Sequence, residues 1–196
     1  MERRELLKQI AILTGGIVIG GEVFLSGCKS SASADAGFTA ANLTLLDEVA
    51  ETIIPATATP GAKAAKVAEF MKIFVTDCYT AEEQSAFTKG IVQLDEACKK
   101  MHQKSFMDCD ATQRKSCLVS LEKEAKVFNE KVDKANEGKQ ENKAPLHYYT
   151  MMKQLTLFGF FTSKTGGTET LRHKAVPGSY DGAFAYKKGD KAWLEN

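Results

Sequence analysis

The segment from Leu146 to Phe161 constrains the fold of this chain more than any other. It carries Tyr148, Tyr149, Met151, Met152, Leu155, Leu157, Phe158, Phe160 and Phe161. At 3.6 residues per turn these side chains surround most of a helix's circumference. A helix that is apolar all round has to be buried on every side. Neighbouring helices, a partner protein or both must supply the cover. Pro145 suits the first turn of such a helix, where a missing N–H costs nothing.

Four other segments have helical spacing and polar starts. The first begins at Thr39, with Phe38 and Leu43 at the positions of a hydrophobic staple. Leu43, Leu46, Val49, Ile53 and Ile54 continue it, and Pro55 stops it. After a loop over 55–61, a second helix is expected over Ala62–Asp77, with Val67, Phe70, Met71 and Phe74 inward. Thr80-Ala81-Glu82-Glu83 is a capping box opening a third, with Phe87, Ile91, Leu94, Cys98 and Met101 as its stripe. Asp110-Ala111-Thr112-Gln113 opens a fourth, with Cys117, Leu121, Ala125, Phe128 and Val132 inward. Residues 136–143 are a polar link.

Beyond the fifth helix the composition changes. Gly166-Gly167 is expected to end that helix, and residues 168–172 to make one short turn. Residues 176–186 then read as turns and extended chain. Tyr180, Phe184, Tyr186 and Trp193 fall in this tail. A segment without regular structure cannot bury its own aromatics, so they must lie across the bundle or across another protein. The expected fold is all-α: a small bundle of about five helices with an extended, irregular aromatic C-terminal tail.

The chain's first residues form a different kind of segment. Arg3-Arg4-Glu5-Leu6-Leu7-Lys8 resembles a twin-arginine export signal. The apolar run from Ile10 to Gly21 is too short to span a bilayer, which takes roughly 20 residues, and has the length of a signal-peptide core. Leu25-Ser26-Gly27-Cys28 resembles a lipobox, in which Cys28 would receive a diacylglycerol. Residues 1–27 therefore read as a twin-arginine lipoprotein signal and 28–37 as a flexible tether. Residues 38–196 are the helical domain, with 174–196 as its tail. The expected location is the periplasmic side of a bacterial membrane, held through the lipid on Cys28.

Composition excludes several alternatives. Net charge is +1, with no basic block or aromatic-interleaved basic stripe, so no nucleic-acid surface is expected. No Gly-x-Gly-x-x-Gly motif follows a strand pattern, and no Cys-x-x-Cys-His or nucleophile-elbow motif occurs. His102, His147 and His173 are dispersed, and no metal site is expected. Four cysteines besides Cys28 allow two disulfides in three pairings. Export of an already folded chain from a reducing cytosol instead favours mostly free thiols among Cys78, Cys98, Cys109 and Cys117, with Cys98 and Cys117 on the apolar faces of their expected helices.

Several stretches together resemble the gluconate 2-dehydrogenase subunit 3 family. They are Leu45–Pro55, Thr59-Pro60-Gly61-Ala62-Lys63 through Phe70, Gly159-Phe160-Phe161-Thr162-Ser163, Val176-Pro177-Gly178-Ser179-Tyr180-Asp181-Gly182 and Ala192-Trp193. Their order is more specific than any one of them. The resemblance implies a small subunit that carries no cofactor of its own. Its expected partner is a large FAD-dependent dehydrogenase subunit that oxidises a sugar, sugar acid or polyol, often with a cytochrome subunit beside it. The small chain would escort the flavoprotein through the twin-arginine exporter and stabilise it afterwards. The lipobox departs from the simplest family pattern and would add a membrane anchor. Phe160, Phe161, Pro177, Tyr180, Asp181, Phe184, Tyr186 and Trp193 are the expected partner contacts, and Arg3 and Arg4 the export signal. Asp181, between Gly178 and Gly182, reads as a turn residue rather than a catalytic acid. The competing readings are an independent lipoprotein enzyme or sugar-binding module, and an export chaperone that dissociates after translocation.

Overall fold

The computed structural model describes residues 37–139, 143–174, 176, 178–179 and 181–194. Five long helices carry the fold: α1 (Ala40–Ile53), α2 (Val67–Cys78), α3 (Ala81–His102), α4 (Ala111–Asn136) and α5 (Tyr148–Thr162). A short 3-10 turn, Phe106–Asp108, lies between α3 and α4, and a π-turn, Gly166–Thr170, follows α5. No strand occurs among the described residues; Arg172 and Trp193 form one isolated bridge.

Polar caps set the helix starts. The Thr39 side chain accepts from the Asn42 N–H at the head of α1. Thr80 with Glu83, and Asp110 with Gln113, form reciprocal capping boxes at α3 and α4. Each satisfies backbone donors that the first helical turn leaves unpaired.

The all-round apolar helix is the centre. α5 packs against each of α1, α2, α3 and α4. Tyr148, Tyr149, Met151, Met152, Leu155, Thr156, Gly159 and Phe160 are buried along it. Leu46, Val49, Met71, Phe87 and Leu94, all without solvent exposure, form the surrounding core. Asn129 of α4 positions the start of α5: its Oδ1 accepts from His147 N–H at 2.9 Å and its Nδ2 donates to Thr150 Oγ1 at 2.8 Å. Two small residues permit the close approach. A Cβ on Gly90 of α3 would overlap the side chain of Tyr148, and one on Gly159 would overlap the Phe70 ring.

Three boundaries differ from the sequence expectation. α2 starts at Val67, not Ala62, because Lys66 takes a left-handed φ of 54°. The chain before it is held as a loop by α1: Glu51 accepts from the N–H of Ala56 at 2.8 Å and of Lys63 at 2.9 Å. Pro145 lies outside the fifth helix, whose cap is His147. That helix ends at Thr162 rather than at Gly166, because Ser163 turns out of it. Ser163 N–H donates to the Phe160 carbonyl, and its Oγ accepts from Gly166 N–H. Gly166 then sits where a Cβ would strike the Phe160 carbonyl.

Gly90→Ala tests the close packing with an opposed sign. In an ordinary helix interior this change stabilises by roughly 0.5–1 kcal/mol. Here overlap with Tyr148 should reverse it, to a loss of about 1–3 kcal/mol in denaturant unfolding.

Candidate partner-binding surface

α5 is not covered completely. Leu157 is 40% exposed, Phe158 50% and Phe161 38%. Phe158 meets Phe70 and Phe74 of α2, with ring centroids 5.6 and 5.8 Å apart, and those two rings lie 5.5 Å from each other. Tyr79 adds an edge contact to Phe74 at 5.7 Å, and the neighbouring Ile73 is exposed. The result is a preassembled aromatic ridge across α2 and α5. Mutual edge-on packing fixes the rings, so a protein docking there orders few side chains as it binds.

Phe70 and Phe74 were expected inward. The buried residues of α2 are Val67, Ala68, Met71 and Val75, which leaves the two phenylalanines half-buried at the margin. The apolar arc of α2 is wider than the arc its neighbours cover.

A second concave feature lies between α3, α4 and the start of α5. Its volume is about 660 Å³, with Met101, Leu121, Phe128, Leu146, His147 and Tyr148 among its lining and Lys89, Lys100, Glu96 and Glu124 as its charged residues. Met101 and Phe128, expected inward, are 43% and 45% exposed here. Burial lowers the His147 pKa against a smaller opposing pull from Glu124, which keeps the ring neutral at pH 7. Its Nδ1 accepts from Tyr149 N–H, so the buried imidazole serves as a helix cap. Among the described residues no three donors are placed to hold a metal ion, and no helix is long and apolar enough to cross a membrane.

Around α1 the charges are paired. Arg114 donates to Glu48 at 2.6 Å, and Lys63 contacts the same carboxylate. Burial raises the Glu48 pKa, but the hydrogen bond and charge of Lys63 and the charge of Arg114 outweigh it and hold it below the ordinary value. The loop that resembled a family motif, Thr59 to Lys63, is thus tied to α1 through both Glu48 and Glu51. A Cβ on Gly61 would strike the Glu51 carboxylate, so this turn needs glycine.

The tail is anchored at its far end. Arg172 N–H donates to Ala192 O, and Leu194 N–H to Arg172 O, both at 2.8 Å. The Arg172 guanidinium lies 5.2 Å from the Trp193 ring centroid and 5.8 Å from that of Phe184, and pairs with Asp190 at 3.2 Å. Phe184 and Trp193 also meet edge-on at 5.6 Å, yet both stay about half exposed. Tyr186 is 75% exposed. Asp181 is a turn residue, its carboxylate accepting from Ala183 N–H at 2.9 Å.

Of the expected contacts, then, Phe161, Asp181, Phe184, Tyr186 and Trp193 are at the surface. Phe160 is 1% exposed and fills the core, so Phe161 is the outward member of that pair. Pro177, Tyr180, Arg3, Arg4 and Cys28 lie outside the described residues.

The described residues thus form an all-α bundle with an aromatic ridge exposed across α2 and α5. The family model for gluconate 2-dehydrogenase subunit 3 matches residues 40–178, and the chain belongs to that family. The family's description places its members as one subunit of a multi-subunit dehydrogenase. No curated protein and no solved structure gives a significant match.

The Glu48 pairing predicts a pH signature. Its folded pKa is depressed below 4.5, so its stabilisation is present above that pH and is lost as the pH falls through the folded value. Glu48→Gln should cost about 1–2 kcal/mol at pH 7. The gap from the wild type should close below pH 4.5 in acid-dependent thermal unfolding.

Proposed function

We propose that this chain is the non-catalytic small subunit of a membrane-bound FAD-dependent sugar or sugar-acid dehydrogenase. It escorts the flavoprotein subunit through the twin-arginine exporter, stabilises it afterwards and tethers it through the lipid on Cys28. Family membership over residues 40–178 carries this reading. The ridge of Phe70, Phe74 and Phe158, with Ile73 and Phe161 beside it, offers exposed aromatic rings of the kind enriched at protein interfaces. The exposed rings of Phe184, Tyr186 and Trp193 offer a second contact strip.

The leader fits this role. A lone bundle of this size does not need an exporter for folded cargo. A large partner loaded with FAD in the cytosol does, and one signal can serve both chains if they leave together. The FAD would belong to the partner.

Purification of the tagged full-length chain from its native envelope should recover a flavoprotein of the glucose–methanol–choline type at fixed stoichiometry; recovery of the chain alone counts against the reading. The double variant Ile73→Glu, Phe158→Glu should weaken that complex at least tenfold, about 1.4 kcal/mol, while far-UV circular dichroism stays helical. Arg3→Lys with Arg4→Lys should leave both subunits in the cytoplasm. Normal export of the flavoprotein in that variant would remove escort from the account.

A further inference from the structure

Three thiols of the α3–α4 hairpin lie inside the bundle. Cys98 on α3 and Cys117 on α4 have no solvent exposure, and Cys109, in the turn between those helices, has 5%. The sulfurs of Cys98 and Cys109 are 3.4 Å apart. Cys117 belongs to the same buried core cluster. All are free.

The turn that presents Cys109 is rigidly built. Asp95 of α3 accepts from Phe106 N–H at 2.8 Å. Arg114 of α4 donates to the carbonyls of Phe106 at 3.1 Å and Met107 at 2.8 Å. Ser105 caps the 3-10 turn from the other side. Side chains from both helices thus hold Cys109 over Cys98. A disulfide needs its sulfurs at about 2.05 Å, and side-chain rotation within the turn can cover the remaining distance.

We propose that Cys98 and Cys109 are a dithiol poised to close a disulfide across the α3–α4 turn. This goes beyond the subunit role and does not depend on it.

The oxidant is a disulfide, either a small molecule or an oxidase protein. The Cys109 thiolate, the most accessible of the three, attacks one sulfur of the oxidant and releases a thiolate. Cys98 then attacks Cys109 in the mixed disulfide and expels the second thiolate. Two thiols lose two protons and two electrons, and the oxidant becomes two thiols. Burial, followed by the neighbouring thiols, raises the Cys98 pKa, so closure is slow while the bundle is shut. Once formed, the bond is shielded from reductants by the same burial.

The test uses the reduced full-length protein incubated with glutathione disulfide, then acid-quenched, denatured and alkylated with a maleimide before peptide mapping. The expected result is a linked Cys98–Cys109 peptide, with Cys78 still open to alkylation or glutathione. The thermal midpoint should rise by about 5–10 °C, since closing the loop from 98 to 109 removes conformational entropy from the unfolded chain. The variant Cys109→Ser should form no bond at Cys98, and Cys117→Ser should leave Cys98–Cys109 unchanged. Full alkylation of both Cys98 and Cys109 after oxidation overturns the pair, as does a midpoint that stays level or falls.

Discussion

The bundle depends on enclosing one helix. α5 has apolar groups on nearly every side, and water penalises each that stays uncovered at about 25 cal/mol per Å². Four helices answer that demand, and their features follow from it. Gly90 and Gly159 are small so that Tyr148 and Phe70 can approach. Asn129 spends its side chain on fixing the start of α5. Ser163 and Gly166 turn the chain away as soon as the buried stretch ends. The cover nevertheless stops short at Leu157, Phe158 and Phe161. Those exposed groups, joined to Phe70 and Phe74 of α2, are the face that the proposed function assigns to a partner.

Local chemistry was readable from sequence wherever it was local in fact. Thr39, Thr80 and Asp110 cap their helices because their partners lie only three residues away. The start of α2 was misplaced because the run after Gly61 has good helix formers. What prevents helix there is Glu51, twelve residues before Lys63, drawing backbone N–H groups into a loop. A distant carboxylate overrides propensity, and no window centred on the loop contains it.

Site legibility divides the same way. Periodicity identified Phe70, Phe74, Met101 and Phe128 as members of apolar stripes, but not how wide an arc their neighbours cover. Those four sit at stripe margins, where a rotation of the helix decides between core and surface. Of the neighbouring pair Phe160 and Phe161, only the second faces out. The thiol cluster had no sequence signature, since Cys98, Cys109 and Cys117 match no metal or redox spacing. It arises from the hairpin of α3 and α4, with Arg114 and Asp95 bringing the connecting turn over both helices.

α5 is enclosed by its own domain, which leaves only its outward face for the proposed partner. Hydrogen exchange on the full chain alone tests it directly. Amides of residues 151–160 should be the slowest in the protein, opening only with global unfolding. Exchange there as fast as in the last turns of α4 would contradict the account, showing that α5 is ordered by the partner rather than by the bundle.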